Sequence, residues 1–421
     1  MENFRKKYLL VILISWFPIS FLMIRHGVHI SLYAIFLLYA YTSIKGIAPN
    51  LPSKESICVA ASLASIFIAT ITQQIISTHA DFSAWDGPSR LLIAGLVLLY
   101  LRQQNINYTK ILEFAIPAGL ILLCIYLSIN SKYYWGHRWA NLFVDPNSLG
   151  SQSTILSMIC LLSIRLTSQS YINILKIIGA ISGFYISIKA ESRGGWAAIP
   201  LMTLCWFLIQ LKQINFWSNK KHTIKIISTL ALLIIGITAI VIFIDPVKNR
   251  LVHTVFEINT WFKDPTIYTS AGTRMSMWIV AIQLIQENFW GYGDIAIKEI
   301  LSNHPLHTSI YLHGVNDMIM NGPHSDILSK GLSLGIAGIA AYLLTILTPI
   351  TLFFSKIKSQ DLAIQKAAHI GLLYVTGVLV VGLFNETLSL KYLCSFYGLM
   401  IACLAAQVLY KPNIDPTSKA L

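Results

Sequence analysis

YLLVILISWFPISFLMI, residues 8–24, is the stretch whose reading decides the fold. It carries no charged residue, and as an α-helix rising 1.5 Å per residue it reaches about 25 Å, close to the roughly 30 Å of a bilayer's hydrocarbon core. No small-residue cleavage site or soluble chain follows it, so it reads as a retained helix, not a removable signal peptide. Apolar runs of the same kind recur outward from it, near residues 28–44, 56–76, 90–101, 110–129, 147–166, 171–188, 194–211, 225–244, 325–354, 367–384 and 391–410. With the first taken as 8–25, these predict an all-α polytopic membrane protein of about twelve transmembrane helices. The 90–101 run is short and needs extension back through Ser89 and Arg90, or local bilayer thinning. Composition agrees: of 421 residues 55% are hydrophobic and only 12% charged, too few to solvate a globule of this size.

The formal charge of +13 is spread between apolar runs, as orientation in a membrane requires, which argues against nucleic acid as a partner. Basic residues collect in alternate connections: Arg5, Lys6 and Lys7; Lys45 and Lys54; Arg102 and Lys110; Arg165; Lys212, Lys220, Lys221 and Lys225; Lys356, Lys358 and Lys366; Lys411 and Lys419. By the positive-inside rule that side and both termini are cytoplasmic. The outer side receives Asp81 and Asp86, the 135–147 loop, the tight turn before Arg193 and the long stretch 245–323. The six cysteines fall in or beside predicted helices with no CxxC pair, so neither a disulfide framework nor a zinc site is indicated. The chain thus divides into helices over 1–244, an outer loop subdomain over 245–323, further helices over 324–410 and a cytoplasmic tail over 411–421.

About eighty residues of loop exceed any ordinary connection. Trp261, Phe262, Tyr268, Trp278, Phe289, Trp290, Tyr292 and Tyr311 give this one material to pack, which argues against disorder. Within it, Thr273 reads as the N-cap of a helix from Arg274 to about Asn288, too short in apolar residues to span, lying on the membrane surface or against the bundle.

Three outer sites have residues suited to chemistry. In KAESRGG, residues 189–195, an arginine stands at the mouth of a span, where an ionisable group is costly unless it is paired or lines a polar cavity. The glycines Gly194 and Gly195 would admit an anion to the backbone amides; the plainer reading is an Arg193 that snorkels and pairs with Glu191. In GTR, residues 272–274, Arg274 in a first helical turn opposes the helix dipole and makes sense with an anion between them, or else is a solvated surface arginine. In NGPHSDIL, residues 321–328, Pro323 suits a first helical turn and puts His324 at a helix N-terminus, where the dipole keeps the imidazole neutral and able to act as a general base. The alternative is an interfacial hydrogen-bonding histidine, like His253, His304, His307 or His313. A metal reading for His304, His307, His313, Asp294 and Asp317 lacks any familiar ligand spacing, and arginines can stabilise a pyrophosphate without metal.

Taken in order, SRGG at Arg193, GTR at Arg274, NFWGYG over 288–293 and HSDIL over 324–328 resemble the O-antigen ligase family, in its lipopolysaccharide-ligase branch. The segment from His137-Arg138-Trp139 to Asp145-Pro146-Asn147 looks like that family's turn before its central helices. The resemblance covers residues 130–400. It implies transfer of a polymeric glycan from undecaprenyl diphosphate to a hydroxyl of the lipid A-core oligosaccharide, at the periplasmic face of the bacterial inner membrane, with no nucleotide sugar, metal or other cofactor. Carried onto matching positions, Arg193 and Arg274, with Gly194, would hold the pyrophosphate. His324 would deprotonate the acceptor for an inverting displacement. Glu191 and Asp326 are candidates to orient Arg193 and His324, and Trp278, Trp290 and Tyr292 to line the sugar path or merely pack the loop. An O-antigen polymerase joining two lipid-linked glycans, or a protein O-oligosaccharyltransferase, would use similar chemistry. From another class, a transporter of lipid-linked sugars would predict matching broken helices in two halves and charges at midplane.

Overall fold

A computed structural model of the protein describes residues 2–45, 51–78, 80–130, 137–164, 170–213, 220–293, 296–303, 305 and 310–410. Arg165, Asp294, His304, His307, the start of the 135–147 loop and the 411–421 tail therefore lie outside the described residues. The helices run in order α1 (Glu2–Ser20), α2 (Gly27–Ile44), α3 (Lys54–Ser77), α4 (Asp86–Leu101), α5 (Tyr108–Asn130), α6 (Pro146–Leu162), α7 (Ser170–Ala190), α8 (Arg193–Trp196) and α9 (Ala198–Gln213). They continue as α10 (Lys220–Phe243), α11 (Asp245–Lys263), α12 (Ser270–Glu287), α13 (Ala296–Asn303), α14 (Leu312–Asn321), α15 (Asp326–Lys356), α16 (Leu362–Phe384) and α17 (Lys391–Leu409). The β-type pairing among the described residues is an isolated bridge between Asn141 and Val144.

Among the described residues, nine stretches are long and apolar enough to cross a membrane: α2, α3, Phe82–Leu101, α5, α7, Arg193–Gln213, α15, α16 and α17. The chain is a multi-pass, all-helical membrane protein. The short fourth run gains its length from a 3-10 turn over Phe82–Trp85 that leads directly into α4. Helices α1, α6 and α10 occupy the other three expected positions.

The bundle is organised around α17, whose residues from Leu393 to Leu409 are all buried. Its sequence is apolar on every side, which suits a central column packed by α2, α3, α4, α5, α15 and α16. Helix α6 is also interior but rich in hydroxyls, and three of these are satisfied locally: Ser151 donates to the Asn147 carbonyl (2.7 Å), Thr154 to that of Gly150 (2.8 Å) and Ser157 to that of Ser153 (2.7 Å). Small side chains let α7 come close enough for Thr154 Oγ1 and Ser187 Oγ to meet at 2.6 Å. At the end of the bundle away from the 245–323 segment, the buried Glu113 of α5 ties α7 and α16 together, 2.7 Å from Lys176 Nζ and 3.1 Å from Lys366 Nζ.

Helices α11 to α14 gather at the other end. A second apolar cluster there joins Met277, Val280, Ala281 and Leu284 of α12 to Leu301, Val315, Met318 and Leu332. Helix α12 packs against α11, α14 and α15. Helix α15 is interrupted at Gly335, which has φ +64°. The 288–293 segment crosses the break: Tyr292 and Gly293 amides donate to the Leu332 and Ser333 carbonyls (2.8 and 2.9 Å), and the Ile336 amide donates to the Phe289 carbonyl (3.1 Å). A Cβ at Gly335 would lie 2.2 Å from that Phe289 oxygen, so the crossing needs glycine. Backbone groups freed by the break are thereby paired within the protein, as an apolar surrounding demands.

Candidate functional site: a four-arginine cleft

The site begins with a helix cap. Asp145 Oδ1 accepts the amides of Asn147 and Ser148 (2.9 and 3.0 Å) and starts α6 behind Pro146. The Asn147 side chain and carbonyl then take Arg138 Nη2 (2.7 Å) and the Ser192 hydroxyl (2.9 Å), while Arg138 Nε donates to the Ala190 carbonyl (2.8 Å). These bonds press the 189–195 turn onto α6. Gly195 permits it, since a Cβ there would sit 2.6 Å from Ser151 Cα, whereas Gly194 has room, its nearest neighbour being Phe384 Cβ at 3.5 Å. Glu191 is bent into the left-handed region (φ +49°), a strained conformation for a residue with a side chain.

Arg193 leaves this turn and meets α11, donating to Glu257 Oε2 and Thr254 Oγ1, both at 2.7 Å. The sequence offered Glu191 as its partner. Instead Glu191 faces His137 (2.6 Å) and Arg250 (3.6 Å), because its left-handed backbone turns it away along the rim. Glu257 is buried, also accepts the Ala271 amide (3.1 Å) and lies 3.0 Å from His253. Arg193 and the other bonds to its carboxylate outweigh burial and hold its pKa below the usual carboxylate value.

Helix α12 starts earlier than its sequence suggested. Thr269, extended, caps it by accepting the Gly272 amide (3.1 Å), and Thr273 is a buried residue of the helix proper, not the N-cap. Gly272 falls in the first turn of the helix. It belongs inside because a Cβ there would press on Thr269 Oγ1 and Trp261. Arg274 consequently stands in the second turn, where the dipole argument for an anion weakens. The cleft replaces that argument. Arg138, Arg193, Arg250 and Arg274, with Asn147, Ser151, Glu191, Gly194, Ser270 and Asn385 among others, line a polar cleft of about 410 Å³ open to solvent. Burial, then the neighbouring guanidiniums, push Arg274 down to about 10 through Arg193 and Arg138 down to about 10 through Arg250. Arg138 and Arg274 both remain cationic at neutral pH. Glu257 and Glu191 offset Arg193 and Arg250, and among the described residues no hydrogen-bond acceptor from the protein reaches the Arg274 guanidinium.

His324 stands beside this cleft, next to Arg274 and Asn385. Its helix begins only at Asp326, with Ser325 as cap, so Pro323 lies outside the first turn and His324 outside the dipole's strongest reach. Burial, then Arg274, push the ring down to about 4, so neutrality comes from desolvation and a cation. Its backbone too is left-handed (φ +49°). Trp278 supports the turn from beneath: Nε1 donates to the Pro323 carbonyl (3.1 Å) and the ring meets Phe384 at 6.0 Å. Asp326 does not orient the imidazole. Its carboxylate is committed to the Thr387 and Leu388 amides (2.9 Å each) and the Thr387 hydroxyl. Trp290 and Tyr292 do not line the cleft; Trp290 is exposed and Tyr292 bonds the Leu284 carbonyl (3.1 Å).

Sequence reasoning missed Arg250, Glu257 and Asn385. The first two had a signal, since Arg250, Thr254 and Glu257 recur at i, i+4 and i+7 and share one face of α11. A cationic cleft with a neutral histidine beside it, at one end of a multi-pass bundle, defines a membrane protein equipped to hold an anionic ligand. Residues 177–343 match the family model described as O-Antigen ligase, and the resemblance to the O-antigen ligase family is thereby borne out. The chain is also 24% identical over 380 residues to a Haemophilus influenzae protein described as uncharacterized, across 86% of this chain and 89% of the relative.

Proposed function

We propose that the protein is an O-antigen ligase, an inverting glycosyltransferase that moves polymeric O-antigen from undecaprenyl diphosphate to a hydroxyl of lipid A-core oligosaccharide. One observation carries the reading: four arginines converge on a cleft beside a histidine held neutral. The excess of guanidinium charge suits a lipid diphosphate, and the Arg274 guanidinium has its hydrogen-bonding capacity left for a ligand. In this reading Arg193 and Arg274 hold the diphosphate, Gly194 gives it backbone access, and His324 takes the proton of the acceptor hydroxyl. The hydroxyl oxygen bonds to the anomeric carbon from the side opposite the diphosphate. The carbon–oxygen bond to the diphosphate breaks, and the leaving group departs with the electron pair, steadied by the arginines. One base and no nucleophilic carboxylate give inversion. The Lys/Arg distribution supports placing the cleft at the periplasmic face of the inner membrane with both termini cytoplasmic, and residues 245–323 as its outer subdomain.

The test is complementation of a host that lacks its ligase but still makes lipid-linked O-antigen and a compatible core. Wild type is expected to restore a lipopolysaccharide ladder and His324→Ala, at equal protein level, to fail. No ladder from well-expressed wild type would refute the ligase reading and direct the same test to a polymerase-deficient host. A fully active His324→Ala protein would refute the assigned base.

A further inference from the structure

The four arginines of the cleft are not equally committed. Arg138 spends Nε and Nη2 on the Ala190 carbonyl, Asn147 Oδ1 and the Glu191 carbonyl (2.8, 2.7 and 3.4 Å), so it braces the 189–195 turn. Arg193 spends both protons of Nη1 on Thr254 and Glu257 of α11. The Arg250 side chain makes no hydrogen bond among the described residues. Its Nε is buried without an acceptor, and Glu191 Oε2 stands 3.6 Å from it, an ion pair too long to be a hydrogen bond.

The fold turns this arginine toward the cleft. Arg250, Thr254 and Glu257 share one face of α11, and the last two grip Arg193, so that face is held against the 189–195 turn. Arg250 lies one turn before Thr254, and its side chain is 28% exposed where it lines the cleft. Glu191 meets it from the left-handed bend of the turn. The other oxygen of that carboxylate, Oε1, is 2.6 Å from Nε2 of the exposed His137, so letting go of Arg250 leaves Glu191 with a partner.

We propose that Arg250 is a third guanidinium for the diphosphate, beside Arg193 and Arg274, and that Glu191 is the counter-ion it exchanges for a phosphate oxygen. This rests on the reading of the cleft as a diphosphate site. An ion pair without a hydrogen bond is a weak competitor, whereas a phosphate oxygen forms short, charge-assisted bonds with a guanidinium whose donors are free. Glu257 behaves differently. It accepts Arg193 at 2.7 Å and the Ala271 amide at 3.1 Å in a buried place, so it stays and positions Arg193 while Glu191 yields.

The test is binding of undecaprenyl diphosphate to the purified full chain in detergent, read as a dissociation constant for wild type, Arg250→Gln, Glu191→Gln and Arg274→Ala. Arg250→Gln is expected to weaken binding about tenfold or more, the loss of bonds to a charged group. Glu191→Gln is expected to tighten it about two- to fivefold, because the competitor keeps its shape and loses its charge. An Arg250 that merely bolts α11 to the turn through Glu191 predicts the opposite sign for Glu191→Gln, with weaker binding and a lower unfolding midpoint. An Arg250→Gln protein that binds as wild type overturns the inference, as does a Glu191→Gln protein that binds no more tightly than wild type. If Arg250→Gln fails to fold, Glu191→Gln decides alone on the same terms. Arg274→Ala separates the two ideas. If it also binds as wild type, or if wild type binds no diphosphate, the reading of the cleft fails and the inference with it; if it loses binding while Arg250→Gln does not, only the role of Arg250 fails.

Discussion

Replacing Glu113 by alanine removes a buried carboxylate that faces two lysines. Lys176 is 1% exposed, and its ammonium has Glu113 Oε1 at 2.7 Å and the Ser163 carbonyl at 3.0 Å. Breaking such a buried pair costs about 3–5 kcal/mol, chiefly because a charge is left without compensation. The Lys366 side chain is 27% exposed and can swing to solvent, so its lost contact adds about 0–1 kcal/mol. The expected loss is thus about 3–5 kcal/mol, most of it from one lysine. Thermal unfolding in detergent, followed by intrinsic fluorescence, should show a clear drop in midpoint for Glu113→Ala. Because the cost is that of an orphaned charge, Glu113→Ala/Lys176→Met should recover most of it, and Lys176→Met alone should cost less since Glu113 keeps Lys366. An unchanged midpoint for Glu113→Ala, or a double variant that falls by the sum of the singles, would refute the reasoning.

Arg274→Ala is expected to lower transfer by about 10²–10³, and Arg274→Lys by less, because a lysine keeps the charge but not the forked geometry; membrane assays at matched protein level read both. His324 must be neutral to accept a proton, so with its pKa at about 4 activity should hold as pH falls to about 5 and then decline. A limb near the free-histidine value of about 6.5 would contradict the buried setting described. Gly335→Ala would force a Cβ onto the Phe289 carbonyl at a positive φ and is expected to cost more than about 1–3 kcal/mol, visible as a lower unfolding midpoint.

The class of the protein was legible from residues 8–24 and the runs like it, because spanning a bilayer is a local requirement on about twenty consecutive side chains. The motifs around Arg193, Arg274 and His324 were legible as short strings in order along the chain. Their surroundings were not. Arg193 looked two residues back to Glu191 for a partner and found Glu257, 64 residues on. Asp326 looked like the group that orients His324, but its carboxylate closes on Thr387 and Leu388. Thr273 and Pro323 misled for a related reason. Cap signals are read one turn at a time, and in the structure it is Thr269 that accepts a free amide of α12 and Ser325 that stands at the start of α15.

The sequence by itself therefore determined that the chain is a helical membrane bundle and the order in which its polar motifs run, since apolar length and motif order are properties of contiguous residues. Tertiary structure alone decided that four arginines share one cleft, that Glu257 holds Arg193, and that His324 is kept neutral by burial and Arg274. Those facts depend on distances between segments far apart in the chain, and electrostatics in a buried site follows distance in space.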